Sequence, residues 1–280
     1  MLPQADIEQA LGHSLSASKP ISGGDICQAY LITLDNGKRL FVKTRPDAPP
    51  EMFPAEGRGL KWLAETDSLR LPEVVAAEPT FLALELLEPG PRTKDFDQKL
   101  GEGLAKMHKA SAPEPGLDHD NFIGPLPQPN QPRSSWPEFY AEQRLRPRIL
   151  EAVQSGIAPQ NWEQKFEKLF QKLPETIPEE PHSRLHGDLW GGNLHTGPNG
   201  EPCLIDPAVY VGHREVDLAM MRLFGGFSNE VFDSYHHAYP LESGHQDRVK
   251  LYQLYPLLVH VVLFGGGYVS SVDRALDQYL

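Results

Sequence analysis

Cysteine is scarce in this 280-residue chain. Only Cys27 and Cys203 occur, far apart and outside any CxxC spacing, which excludes a disulfide framework and a cysteine metal site. Basic residues are in deficit too, 26 Lys and Arg against 38 Asp and Glu, for a net charge of −12. No Lys/Arg run builds the stripe that neutralises a nucleic-acid backbone, so no nucleic-acid partner is expected. Long apolar runs are missing as well. The longest, Leu251–Val269, is broken by Gln253, Pro256, His260 and three glycines, which suits a buried helix rather than a membrane span. The opening Met1–His13 lacks the basic start and apolar stretch of a signal peptide. A soluble, cytoplasmic chain with no membrane partner is expected, its oligomeric state open. Net acidity does not exclude a polyanionic ligand, because a few local cations and backbone N–H groups suffice to hold one.

What is present divides unevenly along the chain, with no repeat of fixed period. Ile7–Leu11 reads as a short helix. Ala29–Thr33 and Arg39–Lys43 read as strands joined by the turn Asp35-Asn36-Gly37. Residues 53–66 carry a helical pattern through Leu60 and Leu63, and Phe81–Leu87 suits a buried strand. The opening third therefore reads β-β-α-β. From residue 94 long helices are expected: Asp95–Ala110, Trp136–Val153, Asn161–Leu173, Glu215–Leu223, Asn229–Ala238, Gln246–Phe264 and Asp273–Leu280. The proline-rich residues 113–137 are expected to form a surface loop. A second hairpin interrupts the helices, Gly192–His195 against Cys203–Asp206 across the turn Thr196–Gly200.

That hairpin is where chemistry gathers. Asp188 and Asn193 have the Asp-x-x-x-x-Asn spacing of a phosphoryl-transfer loop, in which the aspartate accepts the acceptor hydroxyl's proton and the amide oxygen ligates metal. Asp206 ends the hairpin that begins at Asn193, and the fold-back returns it to its neighbourhood, so both oxygens can share Mg2+ despite thirteen residues of separation. Upstream, Lys43 ends an apolar strand and Glu56 lies on the next helix. A Lys–Glu pair of this kind holds the lysine extended toward the α/β-phosphates of ATP. Gly23 and Gly24, at the turn entering the first strand, would let backbone N–H groups approach phosphate oxygens.

The order Gly-rich turn, Lys43, Glu56, apolar strand, Asp188, Asn193, Asp206 resembles the protein kinase-like fold. His186-Gly187-Asp188 in place of His-Arg-Asp, and Ile205-Asp206-Pro207 with no Ala-Pro-Glu segment after it, resemble its aminoglycoside phosphotransferase and choline kinase branch. Within that branch the chain is similar to the fructosamine/ketosamine kinase family. The resemblance is carried by Gly23-Gly24-Asp25-Ile26, Trp136–Tyr140 with Arg144-Leu145, Leu185–Asn193, Ile205–Ala208, Asp217-Leu218-Ala219 and Phe224-Gly225-Gly226-Phe227. It covers about residues 20–265.

The resemblance implies an α+β, two-lobed protein kinase-like fold, with residues 1–88 as a β-rich nucleotide-binding lobe. Residues 89–280 then form a helical lobe holding the catalytic loop and substrate site. It also implies ATP/Mg2+-dependent phosphorylation of a ketosamine, the adduct of a sugar with an amine, at its third-carbon hydroxyl, which initiates deglycation; the substrate is free or protein-bound. By the same resemblance Asp188 is the base, Asn193 and Asp206 are metal ligands, and Lys43 contacts phosphate with Glu56 as its partner. Leu84, Glu85, Leu86 and Leu87 fall where a hinge contacts adenine through the backbone, and Trp190 falls where it can stack on the sugar. Two departures stand out. The glycine loop lacks the three-glycine protein kinase pattern, and Cys27 occupies a position where a polar residue is expected.

Each of these residues has an ordinary structural explanation when taken alone. Aspartates in loops cap and turn chains, strand-end lysines are solvated, and tryptophans pack in cores. Joint occurrence in order is what lifts Asp188, Asn193 and Asp206 above that. Asp217 reads better as an anchor of the catalytic loop than as a chemical group. His182, His186 and His195 lack the one-face helical spacing of a zinc site, and His186 is expected to support the loop backbone. Another small-molecule kinase of the same branch, acting on an aminoglycoside, choline or a homoserine-like acceptor, is the alternative. A silent nucleotide-binding module is disfavoured because Lys43, Asp188, Asn193 and Asp206 are all present.

Overall fold

The computed structural model describes residues 2–21 and 26–280. Chain order opens with helix α1 (Gln4–Leu11) and strands β1 (Leu15–Ile21), β2 (Gln28–Leu34) and β3 (Arg39–Thr44). Helix α2 (Met52–Ala64) and strands β4 (Val74–Glu78) and β5 (Phe81–Glu85) follow. The β2–β3 turn forms because Gly37 takes φ 83° and Asn36 Oδ1 accepts from the Lys38 N–H at 2.9 Å. The strands make one antiparallel sheet in the order β1-β2-β3-β5-β4.

Strand alternation sorts the sheet's two faces. Ile32, Leu34, Leu40 and Val42 pack with Ile7 of α1 on one side. On the other, Phe41, Leu82 and Leu84 pack with Phe53 and Leu60 of α2. Lys43 follows Phe41 by two residues, so it shares the α2 face. Burying such side chains stabilises the fold by about 1.5–3 kcal/mol each.

Strands β1 and β4 were not expected from sequence. Strand β1 is an edge strand, exposed through its middle and containing Pro20, so it carries no alternating signal. Strand β5 stops at Glu85, leaving Leu86 and Leu87 beyond it.

The longer remainder comprises α3 (Phe96–Lys109), β6 (Ser111–Ala112), β7 (Asn121–Ile123), β8 (Leu126–Gln128), α4 (Trp136–Phe139), α5 (Arg146–Gln154) and α6 (Trp162–Thr176). After these come β9 (His182–Leu185), β10 (Leu194–Thr196), β11 (Pro202–Leu204), β12 (Tyr210–Gly212), α7 (Glu215–Phe224), α8 (Asn229–Ala238), α9 (His245–Phe264) and α10 (Val269–Leu276). A small antiparallel sheet thus precedes a larger helical part, an α+β architecture. Its main core joins Trp136, Tyr140, Trp162 and Leu258. A second core joins Leu100 and Leu104 of α3 to Leu189, Met221 and Tyr235. Among the described residues no helix is long and apolar enough to cross a membrane.

Three expectations need correction. The helix expected over Trp136–Val153 is α4 and α5 joined by a π-helical stretch, Tyr140–Leu145. The last helix begins earlier than expected, at Val269, and ends at Leu276. Residues 113–137 are not simply a surface loop: they hold the β7–β8 hairpin, and Asn121, Gln128 and Asn130 are buried. Their polarity reads as surface, but they satisfy one another's hydrogen bonds and so can be buried.

Candidate active site

The catalytic loop is shaped by its anchors. Asp217, in the first turn of α7, accepts from the backbone N–H of His186 at 2.8 Å and of Gly187 at 2.9 Å, and pairs with His108 Nε2 at 3.2 Å. Burial alone would raise the Asp217 carboxyl, but His108, His186 and the loop amide outweigh it and hold it below its ordinary value. The structural role read for Asp217 is the one it plays. His186 Nε2 donates to Ile205 O at 2.9 Å while its Nδ1 accepts from the Asp188 N–H at 3.3 Å, so the ring fastens the loop to the end of the β10–β11 hairpin. Gly187 has φ 81°, and a Cβ there would overlap the carbonyl oxygen of Ala208. The loop therefore lies directly against the segment after Asp206.

The hairpin does what its spacing implied. Leu194 pairs with Leu204, and Ile205 N–H donates to Asn193 O at 3.1 Å. Asn193 Nδ2 donates to Asp188 O at 2.8 Å, to Asp188 Oδ2 at 3.1 Å and to Asp206 O at 3.3 Å. Asn193 thus touches both Asp188 and Asp206. Asp206 has φ 55°, an uncommon left-handed conformation for a residue other than glycine.

Lys43 completes the cluster. Its Nζ lies 2.9 Å from Glu56 Oε1 and 3.0 Å from Asp206 Oδ1, so one ammonium bridges the α2 helix and the β10–β11 hairpin. Burial alone would lower its pKa, but the two carboxylates outweigh that and hold it well above the ordinary lysine range. Burial raises the Glu56 carboxyl above its ordinary value, with Lys43 opposing and Asp206 adding. Asp188 is pushed up to about 7 by burial, with Asn193 opposing and Asp206 and Asp217 adding.

A cavity of about 660 Å³ gathers these groups. Lys43, Glu56, Asp188, Asn193 and Asp206 line it together with Asn121–Gly124 of the β7–β8 hairpin. Trp190, Phe224, His260, Phe264 and Tyr268 also line it, their rings in contact as an aromatic wall. Trp190 is 42% exposed, and a Cβ at Gly192 would overlap its ring. The Trp-Gly-Gly sequence thus lets the indole fold over its own loop. Of the residues singled out from sequence, Leu84, Glu85, Leu86 and Leu87 do not line this cavity. Leu84 is buried in the sheet, Glu85 pairs with Arg70, and Leu87 O accepts from His195 Nε2 at 2.9 Å. Gly23 and Gly24 lie outside the described residues.

Residues not singled out include the cavity-lining hairpin Asn121–Gly124 and the His260, Phe264 and Tyr268 part of the aromatic wall. The i, i+4 spacing of His260 and Phe264 at the end of α9, followed by Tyr268, was the one available signal.

The oxygen donors suit Mg2+. Asn193 Nδ2 is committed to its three acceptors, which leaves the amide oxygen for a cation, and the Asp206 side chain is 37% exposed. One carboxylate and one amide oxygen, with phosphate oxygens and water, are what that ion takes.

A small sheet lobe, a helical part and a Lys–Glu pair facing an Asp–Asn–Asp cluster define the class as protein kinase-like phosphotransferases. A choline kinase structure from Streptococcus pneumoniae shares the fold, with TM-score 0.64 and 17% identity over 99% of this chain and 96% of that one. The chain belongs to the fructosamine kinase family, whose model matches residues 2–280. The rice (Oryza sativa subsp. indica) chloroplastic protein-ribulosamine 3-kinase is 38% identical over 269 residues, 93% of this chain and 78% of its own. A crystal structure of a Thermobifida fusca protein assigned as a fructosamine-3-kinase superposes with TM-score 0.90, 37% identical, covering 99% of this chain and 98% of that one.

Proposed function

We propose that this chain phosphorylates the third-carbon hydroxyl of a ketosamine with Mg·ATP, initiating removal of the adduct. The observation that carries the reading is the single cavity in which the Lys43–Glu56 pair, Asp188, Asn193, Asp206 and Trp190 converge. Family membership narrows the acceptor to ketosamines, and the rice relative's name supports position three of the sugar and a protein-bound adduct.

Asp188 accepts the hydroxyl proton as the oxygen attacks the γ-phosphorus, whose bond to the β,γ-bridging oxygen breaks to release ADP. Its pKa near 7 places it where a base works at neutral pH. Lys43, held extended by Glu56, steadies the α/β-phosphates. Asn193 and Asp206 would hold Mg2+, which when bound neutralises charge on the phosphates. Trp190, exposed beside Asp188, offers a face on which the sugar stacks. Lobe boundaries at residues 88/89, with the nucleotide between the lobes, complete the reading.

ATP turnover with a panel of ketosamines, aminoglycosides and choline tests it, comparing wild type with Asp188→Asn. Turnover of ketosamines alone, lost in Asp188→Asn by about 10²–10⁴-fold, is expected. Phosphorylation of only the other acceptors would overturn the substrate class, and full activity in Asp188→Asn would overturn the base.

A further inference from the structure

Arg144 is fully buried, and its guanidinium has no carboxylate within ion-pair distance among the described residues. Nη1 donates to Pro129 O at 2.6 Å and to Gln143 O at 3.1 Å, and Nη2 donates to Asn130 Oδ1 at 2.6 Å. The guanidinium lies 3.8 Å over the Tyr210 ring and 4.6 Å from that of Phe139. It sits in the π-helical stretch between α4 and α5, a conformation that often marks a functional site. A buried cation without a counter-charge is costly, so its placement calls for a reason beyond packing.

The hydrogen bonds it starts supply one. Arginine only donates, so Asn130 must turn its oxygen to Arg144 and its nitrogen away. Asn130 Nδ2 accordingly donates to Asn121 Oδ1 at 2.8 Å and to His119 O at 3.0 Å. With its oxygen used, Asn121 turns its own nitrogen to Val209 O at 2.7 Å. In parallel, Tyr255 donates its hydroxyl to Gln128 Oε1 at 2.8 Å. Gln128 Nε2 then donates to Asn121 Oδ1 at 2.8 Å and to Ala208 O at 3.1 Å. Two branches thus reach two consecutive carbonyls: Arg144 reaches Val209 O through Asn130 and Asn121, and Tyr255 reaches Ala208 O through Gln128, the branches meeting at Asn121 Oδ1. These residues follow Asp206 after Pro207 alone, and the Ala208 N–H donates to His186 O at 2.9 Å. Asp206 holds an unfavourable φ of 55°, a conformation that persists only where its flanks are fixed.

We propose that Arg144, acting through Asn130 and Asn121, is a positioning residue for Asp206, holding its carboxylate in the geometry that ligates the divalent cation. This rests on the reading of Asp206 as a metal ligand.

The test measures Mn2+ affinity by EPR titration in the presence of ADP, with a thermal melt of each variant. Asn121→Asp keeps the two bonds that Asn121 accepts, replaces its donor to Val209 O by a carboxylate oxygen facing that carbonyl, and adds a buried negative charge. It is expected to weaken Mn2+ binding by about tenfold or more, the usual effect of losing a group that orients a metal ligand. Arg144→Met should do the same. Leu169→Ala, a core truncation in α6, should lower the melting temperature without moving the Mn2+ titration. Wild-type Mn2+ affinity in folded Asn121→Asp would overturn the proposal, whatever the Arg144 variant does. Asp206→Asn separates the two layers: if it binds Mn2+ as wild type does, the ligand reading falls and the positioning role falls with it. If only Asp206→Asn weakens binding, the positioning role alone falls.

Discussion

Two buried cations, Lys43 and Arg144, are held in opposite ways. The lysine is clasped by the carboxylates of Glu56 and Asp206 at 2.9 and 3.0 Å. The arginine meets carbonyls, one amide and aromatic faces. A point charge between two carboxylates can exchange one of them for a phosphate when a nucleotide arrives. A planar fork locked between carbonyls and rings has no comparable exchange open to it. One cation is placed to take part in chemistry, the other to keep the surrounding loops in register.

Removing a partner of the lysine breaks the comparison most severely. Asp206→Asn should cut Mg2+-dependent turnover by at least about 10³-fold, several kcal/mol of lost charge stabilisation, with the melt showing an intact fold. Retained turnover in a coupled ADP assay would remove Asp206 from the metal site. Lys43→Met should lower turnover by about 10²-fold or more and also cost about 3 kcal/mol of stability, because Glu56 loses its partner while buried. Its sign with pH is fixed. Burial raises the Glu56 pKa above 4.5 with Lys43 opposing, so without the lysine it rises further and the folded variant takes up a proton at higher pH than wild type does. The deficit should therefore shrink as pH falls toward 5 and grow above it, as read by urea melts at pH 5 and 8. A deficit independent of pH would mean Glu56 is not the group left unpaired.

For the arginine, the larger effect should be on stability. Arg144→Lys keeps the charge but loses the fork, leaving buried acceptors short of donors, for a loss of about 2 kcal/mol by urea unfolding. An unchanged midpoint would show that charge alone suffices there.

The smallest effect concerns His213, set among buried arginines that do have carboxylates. Burial, then Arg248 and Arg214, push it down to about 3. Glu180, 3.5 Å away, is already paired with Arg214. The unfolded chain takes up a proton below about 6.5 and the folded chain does not, so this contribution to stability is present above that pH and is lost as pH falls. From pH 6.5 to 5 the loss is about 2 kcal/mol, and His213→Gln should flatten that part of the urea-midpoint profile. An unaltered slope would show the ring to be charged in the fold.

The contrast also explains what the sequence could disclose. Asp188, Asn193 and Asp206 were legible because a short loop and a tight hairpin bring them together locally, and the turn residues announce both. Lys43 and Glu56 were legible through strand alternation and the helix that follows. The Lys43 contact to Asp206 was not, since it depends on how two distant segments face each other. Asn121, Gln128 and Asn130 misled, because their burial is licensed by a hydrogen-bond relay that composition cannot reveal. The stretch Leu84–Leu87 is not part of the cavity lining: Leu84 packs in the sheet, Glu85 pairs with Arg70 and the Leu87 carbonyl accepts from His195, contacts that depend on distant segments.

The backbone of Asp206 carries one last consequence. Glycine would relax a φ of 55° and should raise stability by about 1 kcal/mol, while deleting the carboxylate that clasps Lys43 and that is proposed to hold the cation. A screen for heat resistance alone would therefore favour Asp206→Gly, and its most thermostable clones would be catalytically dead.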